Sequence, residues 1–143
     1  MTQEDKKLLI TDLCARLPYG VKIALKNNGS YHHENVAKKG DVTIDRLKGF
    51  TGSYFSIYHD NPRDWDWYDN DVDIEDIKPY LFPLSSMTEE QKEEHQSLIK
   101  GHYSFDANGN VFTLQDFYCK YHFDYRGLID KELALDASYL NIY

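Results

Sequence analysis

The apolar residues of this chain change period at Pro18-Tyr19-Gly20, and that change calls for both helix and strand in one fold. Before it, Leu9, Leu13 and Leu17 recur every four residues with Ile10 and Cys14 beside them, one stripe of an amphipathic helix over residues 2–17. Thr2 is placed to cap that helix, and Glu4 and Asp5 put negative charge at the positive end of its dipole. After the break, Val21-Lys22-Ile23-Ala24-Leu25-Lys26 alternates apolar and polar, as a half-buried strand does.

The same reasoning carries along the chain. Asn27-Asn28-Gly29-Ser30 predicts a turn, because Asn and Gly tolerate positive φ. Residues 42–47 and 53–58 are further strand candidates, separated by Gly49 and Gly52. Three neighbouring strands without crossover helices predict an antiparallel meander rather than a parallel sheet. Residues 60–76 read as an exposed loop with a short helical turn after Asp73, and Pro79 and Pro83 bracket an apolar trio, Tyr80-Leu81-Phe82, tucked against the core. Residues 88–100 form a polar surface helix capped by Ser86 or Thr88. Asn108-Gly109 between two apolar runs signals a hairpin. Thr113 then caps a helix with Leu114, Phe117, Tyr118 and Tyr121 on one face, and a shorter element follows Gly127 over 128–135. The expected architecture is α+β: a small antiparallel sheet packed with an N-terminal helix and C-terminal helices, one domain over residues 1–143.

That length supports a core without covalent staples. The two cysteines, Cys14 and Cys119, are isolated and are expected to be reduced, buried thiols. No run of about 18 apolar residues spans a bilayer, and the first residues lack the pattern of a signal peptide, so a cytoplasmic location is expected.

The charge is unevenly placed. Between His59 and Asp76 there are eight acids and one base, which supply −7 of the formal −8. Lys22, Lys26, Lys38, Lys39, Arg46 and Lys48 make the stretch 22–48 net positive, +3 against Glu34, Asp41 and Asp45. Such a balance argues against general nucleic-acid binding, which needs a dominant basic face. A nucleic-acid module survives only if those six bases share one face.

Within the acidic stretch, Asp64-x-Asp66 and Asp69-x-Asp71-x-Asp73 alternate carboxylates as Ca²⁺ sites do. The full loop fails: counted from Asp69, the sixth position is Ile74 where Gly is needed, and the twelfth is Tyr80 where Glu is needed. A solvated loop is the ordinary reading. Asp106-x-Asn108-x-Asn110 fails in the same way and is better explained as a hairpin turn. Trp65, Trp67 and Tyr68 inside the acidic run are less ordinary. They either anchor the loop onto the sheet or belong to a partner-binding surface, where Trp and Tyr are enriched.

His32-His33-Glu34 is a poor metal site, since adjacent strand residues point to opposite faces, and His59, His95, His102 and His122 are scattered. Phosphate-binding glycine loops and a nucleophile elbow are absent, and no cofactor is implied.

Three stretches carry a resemblance: Leu13-Cys14-Ala15-Arg16-Leu17-Pro18-Tyr19-Gly20-Val21, Asp76 through Thr88, and His122-Phe123-Asp124-Tyr125-Arg126-Gly127-Leu128-Ile129. Together they resemble a family of small proteins, with no activity assigned, encoded by Bacteroides-group gut bacteria and their phages. The resemblance implies a bacterial or phage-borne accessory protein and implies no mechanism.

The functional expectation is a non-enzymatic interaction protein that binds a basic partner through Trp65, Asp66, Trp67, Tyr68, Asp69, Asp71 and Asp73. The alternatives are a small metal-dependent hydrolase using the Asp-rich loop with His59, or a nucleic-acid module using the basic segment 22–48.

Overall fold

The computed structural model describes residues 1–26, 42–58 and 68–143, with the backbone alone at 58 and 68–70. It opens with helix α1 (Gln3–Arg16). The hydroxyl of Thr2 accepts from the Asp5 amide at 3.0 Å, and the Asp5 carboxylate accepts from the Thr2 amide at 3.1 Å, which satisfies two donors a helix start leaves orphaned. Leu9 and Leu13 are fully buried on its inner face, with Ile10, Cys14 and Leu17 at the margin. A single 3-10 turn (Leu17–Tyr19) ends at Gly20, whose φ of 64° is one that only glycine adopts without strain.

Eight strands follow among the described residues: β1 (Lys22–Lys26), β2 (Val42–Phe50), β3 (Phe55–Tyr58), β4 (Tyr68–Val72), β5 (Ile77–Leu81), β6 (Ser104–Phe105), β7 (Val111–Phe112) and β8 (Leu135–Asp136). Six of them form one sheet in the order β4-β3-β2-β1-β5-β8. All its pairings are antiparallel except β5 with β8, which is parallel. The expected meander is therefore real and runs through β1 to β4, while β5 returns to the other side of β1 and the sheet ends there in a parallel pair. A parallel neighbour needs a long crossover, and the chain between β5 and β8 supplies one. That crossover contains α2 (Glu89–Ile99), the β6–β7 hairpin and α3 (Leu114–Lys120).

The fold is α+β, and two local expectations need correction, the loop at 68–72 and the half-buried β1. Residues 68–72 of the expected acidic loop form β4, because Val72 is fully buried and pairs with Phe55. The helical turn after Asp73 is present, as a 3-10 turn at Ile74–Asp76. Tyr80-Leu81-Phe82 is tucked against the core as expected, with Tyr80 and Leu81 closing β5. β1 is buried on both faces. Ile23 and Leu25 join the core under α1, while Ala24 packs with Tyr80 and Ala137 beneath Phe82, Leu135 and Ile142. The shorter element expected over 128–135 is a series of turns leading into β8. There the Asp124 carboxylate accepts from the amides of Leu128 and Ile129, both at 2.8 Å, and Glu132 stands at a positive φ of 59°. Side chain and backbone together close the turns before a helix can propagate.

The helices of the second half are surface elements that carry local caps. Thr88 and Gln91 cap α2 reciprocally, and Thr113 and Asp116 cap α3. No residue of α2 is buried, whereas α3 buries Phe117 and Cys119. Tyr121 donates its hydroxyl proton to Glu94 at 2.9 Å, and His95 pairs with the Tyr118 hydroxyl at 2.8 Å, so α2 lies along α3. Both cysteines are free thiols. Among the described residues no helix is long and apolar enough to cross a membrane.

Candidate functional site

The expected partner-binding residues fall partly within the structure. Trp65, Asp66 and Trp67 lie outside the described residues, as do His32, His33, Lys38, Lys39 and His59. Tyr68 and Asp69 lie on β4, which is an end strand of the sheet among the described residues. Asp71 on that strand and Asp73 just after it are exposed, with Val72 turned into the core between them. Asp73 also caps the following 3-10 turn, accepting from the Glu75 amide at 3.2 Å. Glu75 is answered by Lys6 of α1 at 2.7 Å, and that bridge lowers the carboxyl pKa and raises that of the lysine.

The basic stretch is partly gathered. Lys22 stands directly opposite Arg46 in the β1–β2 ladder, and Lys26 is two side-chain repeats along, so the three share one sheet face. Neither Lys22 nor Arg46 is free of partners. Among the described residues no three His, Cys, Asp or Glu side chains are gathered as a metal ion requires. Asp106 spends its carboxylate on its own turn, accepting from the amides of Asn108 and Asn110 at 2.9 Å each.

The chain's most unusual chemistry lies elsewhere, where α1, the end of α3 and the C-terminal segment meet. Asp12 and Arg16, one helical turn apart on α1, are both fully buried. Arg16 donates to Asp12 from Nε at 2.6 Å and from Nη2 at 3.1 Å, and Nη2 also donates to the Phe123 carbonyl at 2.8 Å. Arg126 Nε lies 3.3 Å from the Asp12 Oδ1 that Arg16 Nη2 also reaches. Both guanidinium groups flank the Tyr125 ring, Arg126 at 4.7 Å and Arg16 at 5.5 Å, and Tyr125 stacks on Tyr118. The Nη1 of Arg16 is buried without a partner.

Next to this network, α3 ends in a Schellman turn. The His122 amide donates to the Cys119 carbonyl at 3.2 Å and the Phe123 amide to the Tyr118 carbonyl at 2.8 Å. His122 occupies the left-handed position of that turn, φ 59°, where glycine is usual. Its side chain is buried, its Nδ1 has no partner, and its ring stacks on Tyr143 at 3.9 Å and 14°. Burial, with the Arg16 guanidinium adding repulsion, pushes the imidazole pKa down to about 4. Tyr143 is held in turn by its hydroxyl, which donates to the Tyr80 carbonyl at 2.7 Å and accepts from the Lys22 amide at 2.9 Å. Burial raises the pKa of that hydroxyl.

These rings wall a cavity of about 490 Å³ that also reaches Phe82, Tyr121, Phe123, Lys120 and the start of α2 at Thr88 and Gln91. The wall is pinned by a parallel bridge: Phe82 donates to the His122 carbonyl and accepts from the Asp124 amide, both at 2.8 Å. Sequence reasoning missed Asp12, Arg16, Arg126 and Tyr143, and it read His122 as one scattered histidine. The Asp12–Arg16 spacing was the available signal, since oppositely charged residues four apart meet on a helix face. Their burial was not visible in that spacing.

Compared with known protein families, curated proteins and solved structures, the chain matches none.

Proposed function

We propose that this protein is a non-enzymatic, cytoplasmic interaction protein that binds a basic partner along the acidic margin of its sheet. The observation that carries the reading is the position of β4. It is an end strand among the described residues, it continues an acidic stretch holding −7 of the net −8 charge, and Asp71 and Asp73 at its close are exposed. An end strand offers backbone groups for a partner strand, and carboxylates beside it select a basic partner and speed its approach. Trp65 and Trp67, next in sequence to that strand, are residue types that anchor interfaces. The resemblance to phage-borne accessory proteins fits a partner supplied by the bacterial host.

The test is a pull-down from host lysate with the wild-type protein and with Asp66→Asn, Asp69→Asn, Asp71→Asn and Asp73→Asn combined. Circular dichroism confirms that the variant is folded. Capture of a basic protein by the wild type alone, weakening as salt rises, is the expected result. Equal capture by both proteins sinks the proposal.

A further inference from the structure

Position 122 is one where the fold alone has little use for a histidine. The left-handed turn there favours glycine, yet the residue carries a side chain at φ 59°. The site is only 9% exposed, yet the imidazole puts an unpartnered Nδ1 into it. Burial, with the neighbouring Arg16 guanidinium adding repulsion, opposes protonation, so the ring sits there neutral. A strained backbone and an unsatisfied buried nitrogen are both costs, and such costs gather where a side chain serves a ligand. Stacking on Tyr143 offsets only part of them.

The ring opens on a cavity whose composition is specific. Its volume of about 490 Å³ falls in the range of small-molecule sites. Its faces are the rings of Phe82, Tyr121, Phe123 and Tyr143. No aspartate or glutamate lines it, although the chain holds 24 of them. The one charged lining residue is Lys120, whose Nζ lies over the Tyr121 ring at 4.9 Å. The first turn of α2 borders the cavity through Thr88 and Gln91, which cap the helix reciprocally. In an acidic protein, an aromatic cavity with a lysine and a neutral imidazole is complementary to an anion on a flat ring.

We propose that this cavity is a binding site for a small planar aromatic molecule bearing one anionic group. The ring packs among Phe82, Phe123 and Tyr143, the anion faces Lys120, and the neutral imidazole of His122 borders the bound molecule. The site is separate from the acidic margin, so either proposal stands if the other fails.

The test is a titration of the full chain, followed by amide NMR, with three probes of one shape: 1-naphthoate, neutral 1-naphthamide and cationic 1-naphthylmethylamine. The expected result is saturable shifts at His122, Phe123 and Tyr143, with 1-naphthoate bound at least about tenfold more tightly than either analogue, as for a hydrogen bond to a charged group. Lys120→Gln, at an exposed position, should bring 1-naphthoate to within about threefold of the amide. His122→Asn keeps a residue that tolerates the left-handed turn and should weaken 1-naphthoate about tenfold. The proposal is overturned if no probe binds at millimolar concentration, if the three bind equally, or if both variants bind 1-naphthoate like the wild type.

Discussion

Replacing Asp12 with Asn tests how the buried charges of α1 are held. The substitution keeps the shape of the side chain and removes its charge. It leaves Arg16, fully buried, without a counter-ion, while Arg126 is 24% exposed and can turn toward water. Breaking a buried pair from one side costs about 3–5 kcal/mol, because the remaining ion stays desolvated. Against a total stability of about 5–15 kcal/mol for a domain, that loss is large. At roughly 3 °C per kcal/mol for this length, the melting midpoint should fall by about 10–15 °C. Urea unfolding read by far-UV circular dichroism gives the same loss in free energy, provided the denaturant slope is unchanged. A second arm separates the pair from its desolvation. Asp12→Leu with Arg16→Met removes both charges, and the double variant should be more stable than Asp12→Asn even though the Phe123 carbonyl loses its donor. If Asp12→Asn costs less than about 1 kcal/mol, water reaches the pair and the account of a dry network is wrong.

Two further outcomes follow from the neighbouring groups. The folded-state pKa of His122, about 4, lies below the ordinary value of 6.5. Its neutral form therefore contributes stability that is full above pH 6.5 and is lost as pH falls toward 4, on the order of 3 kcal/mol in all. Stability measured against pH should fall more steeply across that window in the wild type than in His122→Asn, and parallel curves would refute the burial of a neutral ring. Tyr143→Phe keeps the stack on His122 but removes two hydrogen bonds, those from the Lys22 amide and to the Tyr80 carbonyl, so it should cost about 1–3 kcal/mol in urea unfolding. A loss below about 0.5 kcal/mol would mean that water replaces the hydroxyl.

The parts of this protein that are legible in its sequence are those governed by neighbours along the chain. Thr2, Thr88 and Thr113 cap their helices because a cap needs only a side chain and an amide three residues on. The β6–β7 hairpin turns at Gly109, φ 81°, where Asn-Gly announces it. The first three strands are legible because alternation records which face is wet. Tertiary structure decided the rest, because it depends on what lies opposite in space. The acidic stretch reads as a loop until Val72 is seen against Phe55. β1 reads as half-buried until the segment around Ala137 is seen to cover its second face. Asp12, Arg16 and His122 look like ordinary polar residues in the chain. Only the meeting of α1, the end of α3 and the C-terminal segment takes them out of water, and desolvation is what turns a surface charge or a spare imidazole into a site.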